Sequence, residues 1–214
     1  MHTVDDPEAL PFPAGSSPFH VKGVAYLGHV DYAEKHIPGG AHAVAAAMRD
    51  PALREFFERK FLAASWYDVF PMVPVWHACA KLLHQNPTDF LRERMRYQAE
   101  SDIHGVYRFL LKLASAKSIA LRLPRVMQQY FDFGVSESNV VAPGLVRATV
   151  SGVPELIVPW FRLAGETYTV IALELAGVAF VQVRRLPVSP AGEAHGVRVV
   201  NLGFDIQLDP KKAD

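Results

Sequence analysis

The sequence predicts an α+β fold: a helical N-terminal part followed by a small, mainly antiparallel sheet that carries one long helix. Three observations predict it. Up to about residue 131 the apolar residues return every three or four positions; beyond residue 144 their period falls to two. The third observation is the run Pro154–Gly177, the most apolar in the chain. Within it Ile157, Trp160, Phe161, Ala164, Tyr168, Ile171, Ala172 and Leu175 share one helical face. Glu155, Arg162, Glu166 and Glu174 fall largely off that face, so the run reads as an amphipathic core helix and not as a membrane span. Pro154 suits a first turn, Gly177 suits a C-terminal cap, and Pro159 predicts an irregular start. Strand-forming runs flank it at Leu145–Ser151 and Val178–Arg185.

Residues 1–19 hold Pro7, Pro11, Pro13 and Pro18 around Gly15-Ser16-Ser17, a composition that buries little, so a flexible arm is expected. An extended lead at Phe19–Lys22 enters a helix over Gly23–His36, which Pro38-Gly39-Gly40 ends. Ala41–Met48 is a short alanine-rich helix. Asp50 as N-cap and Pro51 in the first turn open a helix to Leu62, with Leu53, Phe56, Phe57 and Phe61 inward. The next helix is expected from Ser65-Trp66-Tyr67-Asp68 to about His84, with Asp68 as its cap and Pro74 disturbing its early turns. Asn86-Pro87 breaks the chain. A stripe of Leu91, Met95, Ala99, Ile103, Val106, Leu110 and Leu113 then continues helically, with Gly105 as a point of division. Ser118–Phe131 is the last helix of this part.

Val135–Gly144 reads as a loop, Pro187–Gly196 as the loop of a long hairpin, and Asp209–Asp214 as a solvated tail. In the final strand Val200, Leu202, Phe204, Ile206 and Leu208 alternate with Asn201, Asp205 and Gln207. Its near-terminal place and its single charge predict an edge strand, and through that edge a homodimer. Residues 20–208 are expected to form a single domain.

Composition narrows the function classes. Lysine plus arginine equal aspartate plus glutamate at 22 each, so no net field draws the chain to nucleic acid. The single cysteine, Cys79, excludes an internal disulfide framework, and with no leader-like segment a cytoplasmic setting is expected. HExxH, CxxC and DxD are absent and the histidine spacings are wide (His29 to His36, His36 to His42, His77 to His84), so no metal site is expected. No G-x-S-x-G, P-loop or G-x-G-x-x-G occurs, so no catalytic residue is assigned and the chain is expected not to be an enzyme. Cys79 reads as a small core residue. Eight basic against three acidic residues between 92 and 125 read as a solvated helix face. Trp66, Trp76, His77, Tyr107, Tyr130 and Trp160 are the candidates for lining a mostly apolar pocket between the helical part and the sheet, taking an apolar or amphipathic small molecule.

Several stretches carry a resemblance. RVMQQYFDFG at Arg125–Gly134, the Pro143-Gly144 turn, LVRATVSGVPE at Leu145–Glu155, a helix closing in LELAG, and VAFVQVRR at Val178–Arg185 together resemble an uncharacterised myxobacterial paralogous family. The layout is similar to that of haem-NO-binding and vinyl-four-reductase-like small-molecule-binding domains. GVAYLGHVDYAEKHI and SWYDVFPMVPVWHACAKLL fit its earlier helices, so the resemblance covers about residues 20–186. It implies a ligand-binding or signalling fold. Haem-NO-binding domains hold the haem propionates with Y-x-S-x-R near the strand before the last helix. Here Val146–Gly152 contains no such motif, and the cysteine cluster of some vinyl-four-reductase-like members is missing. The expected function is therefore a non-catalytic small-molecule sensor or adaptor. A dimerisation module with a filled core is the alternative. A haem-based gas sensor, with His77 or His84 as axial ligand and Arg122 or Arg125 at the propionates, comes third.

Overall fold

Helix α1, Gly23–His36, begins at a glycine for a packing reason: a Cβ there would collide with the Leu62 carbonyl and the Tyr67 ring. Before it lies a short strand, β1 (His20–Lys22), and after it come α2 (Gly40–Ala47) and α3 (Pro51–Glu58). The computed structural model describes residues 6–104, 116–178 and 180–208. Gly105 and the stripe beyond it, Tyr107 and the 209–214 tail lie outside the described residues. The chain divides into two compact units: Met1–Arg94 with Tyr130–Asp132, and Met95–Gln129 with Phe133–Asp214.

The first unit is helical. Asp50 caps α3 as expected, its carboxylate accepting from the Ala52 amide at 2.8 Å. The helix stops at Glu58 rather than Leu62, yet Phe61 stays in the core by stacking on Tyr26 with ring centroids 4.6 Å apart. Trp66–Asp68 is not a helix start. It is strand β2, antiparallel to β1, with His20 opposite Asp68 and Lys22 opposite Trp66. Asp68 is accordingly no helix cap. Its carboxylate accepts from the amides of Phe70 (2.9 Å), Gly15 (3.0 Å) and Ser17 (3.4 Å). Helix α4, Met72–Leu82, starts only after Pro71, and Asn86 caps α5 (Pro87–His104) through the Thr88 amide.

The arm is a correction too. Residues 6–18 lie along this unit as a strap. The Glu8 carboxylate accepts from the backbone amides of Arg49 and Asp50, and the Phe12 ring packs on Phe70 at 6.0 Å. Proline supplied the wrong signal here, because a chain without regular structure can still be fastened by side-chain acceptors.

The second unit holds the rest of α5, α6 (Ala116–Tyr130, whose last residue belongs to the first unit) and the sheet. Its strands are β3 (Val135–Ala142), β4 (Leu145–Pro154), β5 (Val181–Arg185), β6 (Ser189–Ala194) and β7 (Val197–Leu208). Their order is β3-β4-β7-β5, all antiparallel, with β6 also on β7. Two expected loops are thus strands. The expected edge is interior, because β7 pairs with β4 on one side and with β5 and β6 on the other. Position at the end of a chain does not set position in a sheet, and the dimer expectation loses the strand it rested on.

Helix α7, Val158–Leu175, follows a 3₁₀ turn at Glu155–Ile157, the irregular start that Pro159 predicted. Gly177 ends it at φ +87°, where an L side chain would be strained. Trp160, Phe161, Ala164, Ile171 and Ala172 are buried as expected, whereas Leu175 is exposed. Among the described residues Glu155–Leu175 is long and apolar enough to cross a bilayer by length and composition; its buried face serves as core. Leu173 packs with Ile119 and Ala120 of α6 against Val146, Ala148, Ile206 and Leu208 on one sheet face.

The opposite face carries an ion triad. Buried Asp205 accepts from Arg147 Nε at 2.7 Å and Nη2 at 3.0 Å, and from Arg184 Nη2 at 2.6 Å. The Arg147 hydrogen bonds hold its pKa below the usual carboxylate value, against the opposing effect of burial. A depressed carboxylate stabilises the fold above its unfolded pKa of about 4, and that contribution is lost as the pH falls through its folded value. Asp205→Asn should therefore cost about 2 kcal/mol at pH 7, the scale of charge-assisted hydrogen bonds with solvated partners. The difference from wild type should shrink below pH 4 in urea titrations run across pH. An unchanged difference from pH 7 to pH 3 would remove the triad from the stability of the sheet.

Candidate functional site

Eight of the eleven residues of α4 are buried, because this helix runs through the core of the first unit. His77 interrupts that burial. It is half-buried, its ring 4.6 Å from that of Trp76, and desolvation lowers its pKa from the ordinary histidine value. It opens on a cavity of about 360 Å³ beneath the strap, with Asp6, Glu8, Arg49, Pro74 and Lys81 among its walls.

The other sequence candidates do not gather around it. Trp66 lies on β2, 42% exposed, with the Lys22 ammonium 3.7 Å from its ring centre. Trp76 is buried and donates from Nε1 to the Pro87 carbonyl at 2.6 Å, which accounts for its polar atom structurally. Tyr130 is half-buried at the end of α6, and Trp160 is buried in α7 of the second unit. Tyr107 is outside the described residues. Cys79 is buried, and desolvation pushes its thiol up to about 12, which leaves it no thiolate for nucleophilic work.

The candidates missed a buried polar group in the first unit. His29 is 4% exposed, and its Nδ1 has no hydrogen-bond partner among the described residues. Burial first, and then the charge of Arg94, hold its pKa well below the ordinary histidine value, so it is neutral. Arg94 is itself buried, and nearby Tyr32 donates to Glu93 at 2.7 Å. The sequence did hold a signal: Tyr26, His29 and Ala33 share the buried stripe of α1. Pairing His29 with His36 by spacing hid it, since His36 is exposed and stacks on Tyr32 at 4.4 Å. No three metal-ligating side chains gather among the described residues.

A second cavity, about 520 Å³, lies in the second unit where β3 and β4 meet α6, between Leu121, Ser136, Asn139, Arg147 and Thr149. Its lining is polar: Ser138 donates to the Leu121 carbonyl at 2.6 Å, and Arg147 is held by Asp205.

No family of known proteins matches the chain by sequence, and no curated protein matches it. Solved structures do. An oxygen-binding H-NOX domain related to soluble guanylate cyclases, in its oxygen complex, superposes with a TM-score of 0.61 at 10% identity, over 88% of this chain and 95% of that one. A structure in which protein-induced porphyrin distortion modulates haem redox potential matches at 0.61 and 10% identity, over 87% of this chain and 99% of that one. A point variant of T. tengcongensis H-NOX matches at 0.57 and 11% identity, covering 88% and 97%. The fold is that of H-NOX domains. The layout resemblance to haem-NO-binding domains therefore holds at the level of fold; no finding supports the myxobacterial family.

The described residues that were candidates for a haem do not fit it. His84 is exposed in the turn after α4, and His77 faces a cavity walled by the carboxylates of Asp6 and Glu8. Arg122 is exposed, and the Arg125 side chain is outside the description. The strand before the last helix is β4, where the propionate motif was sought. It carries no tyrosine, and its one arginine, Arg147, is bound to Asp205 on the sheet face away from the core.

Proposed function

We propose that this chain is a non-catalytic sensor domain that takes up a small ligand. The observation that carries the reading is the H-NOX fold, shared over 87–88% of this chain and nearly all of its structural neighbours. Within that class, haem-based gas sensing is the version those neighbours support best, since they include an oxygen complex and a haem protein. The alternative is a haem-free sensor for an apolar or amphipathic molecule. Strand β4, without a propionate clamp, favours that alternative. A cytoplasmic setting and a homodimer belong to the same proposal, the dimer through a surface other than β7.

Haemin titration separates the two versions. Gas sensing requires a stoichiometric Soret band, its shift on adding carbon monoxide or nitric oxide, and its loss when one of the nine histidines is replaced by alanine. Weak absorbance that grows without saturation and ignores every histidine change sinks the haem version. Native mass spectrometry of the purified protein then looks for a co-purified organic ligand. A chain that carries no small molecule from any source overturns the sensor reading itself.

A further inference from the structure

We infer that the cavity beneath the strap is a binding site for a small organic carboxylate, held by His77 and Lys81 of α4. The cavity, about 360 Å³, lies wholly within the helical unit and falls in the size range of small-molecule sites. Its acidic groups are already engaged. Glu8 accepts from the backbone amides of Arg49 and Asp50, at 2.9 Å each, and from Arg49 Nε. Asp6 accepts from Arg49 Nη2 and from the Glu8 amide. The Arg49 guanidinium and the backbone donors thus satisfy the hydrogen bonding of both carboxylates.

The opposite wall is different. His77 and Lys81 stand one turn apart on the same helix face, roughly 5–6 Å between Cβ atoms. Among the described residues neither makes a side-chain hydrogen bond or an ion pair. Lys81 is a pure donor, and a neutral imidazole offers one N–H. Two donors on one helix face suit the two oxygens of a carboxylate, and the Lys81 ammonium, in no ion pair among the described residues, favours a singly charged anion. A dianion such as sulfate would face Asp6 and Glu8 across the cavity with only one cation to balance it. A divalent cation would meet Lys81, and among the described residues no three ligands converge to hold it. Pro7, Pro74 and Ala78 supply an apolar wall for a short hydrocarbon body. A ligand seated there bridges α4 to the strap, so occupancy and strap closure are linked. The inference stands apart from the haem question, because it uses no haem and none of the second unit.

The test titrates the full chain with sodium hexanoate and with benzoate at constant ionic strength, following the His77 imidazole proton resonances, assigned through His77→Gln. Saturable shifts are expected with both probes, weakened at least tenfold in Lys81→Gln and retained in Lys81→Arg. Lys81 is exposed, so the fold survives its replacement and an unchanged thermal midpoint documents that. Shifts that never saturate, that persist undiminished in Lys81→Gln, or that chloride and sulfate reproduce at equal concentration overturn the site. The Soret experiment reads none of these signals, so the two proposals fail separately.

Discussion

Replacing Trp160 by alanine is expected to destabilise the protein by about 3–5 kcal/mol, the usual cost of emptying a large aromatic site in a core. Trp160 is 5% exposed and sits in the first turns of α7, where Phe161, Leu163 and Ala164 are buried around it. Phe161 in turn packs on Phe133 at 6.4 Å, so the start of the helix is anchored at several points and cannot simply close over a void. The neighbouring Arg162 is tied down as well, donating to the Leu186 carbonyl at 2.8 Å. Urea titration with an unchanged m-value should show the loss as a shifted midpoint. A cost below about 1 kcal/mol would place this face at a surface rather than in a core.

Asp68→Ala should come next in size, at about 3–4 kcal/mol, through a different cause. Its carboxylate accepts from three backbone amides, those of Gly15, Ser17 and Phe70, and two of these residues are buried. Stranding a buried donor costs about 1–3 kcal/mol, and the partly exposed Gly15 amide regains water. Burial works against the charged carboxylate and raises the pKa of Asp68, with the three amides opposing that shift. The sign is thus opposite to that of Asp205: the contribution of Asp68 is greatest below the unfolded carboxylate pKa of about 4 and declines as the pH rises through its raised folded value. Asp68→Asn keeps an acceptor and should cost about half as much as alanine. Hydrogen exchange at the Gly15 and Ser17 amides is the local readout. If their protection is the same in Asp68→Ala, the strap is fastened by something other than this side chain.

Legibility followed the range of the interactions involved. Helices α1, α2 and α7 were readable almost to the residue, because a 3.6-residue stripe, Pro near the start and Gly at the end all act within a few positions of one another. The cap at Asp50 was readable for the same reason. Trp66-Tyr67-Asp68 was misread because Asp68 looks like the N-cap of a helix start. Pairing with His20–Lys22, distant in sequence, makes it a strand. Val135–Ala142 and Ser189–Ala194 were misread as loops because both are largely exposed and show little apolar alternation. Of the residues that line the strap cavity, His77 was singled out from its apolar surroundings. The strap that walls its cavity was not, since nothing local says that Glu8 will meet the amides of Arg49 and Asp50.

What the sequence determined by itself is the α+β class, the switch from helical to alternating period, and the central helix with its irregular start and glycine end. Each of these is a local free-energy preference summed over a short window. The tertiary structure alone decided that β7 lies inside the sheet, that Asp205 is shared by two arginines from the neighbouring strands, and that a proline-rich lead becomes a fastened strap. It also decided that His29 is buried while His36, on the same helix, is not. Those outcomes depend on which distant groups arrive as partners. A backbone amide, a carboxylate or a sheet edge can be satisfied by many partners, and only the folded chain selects one.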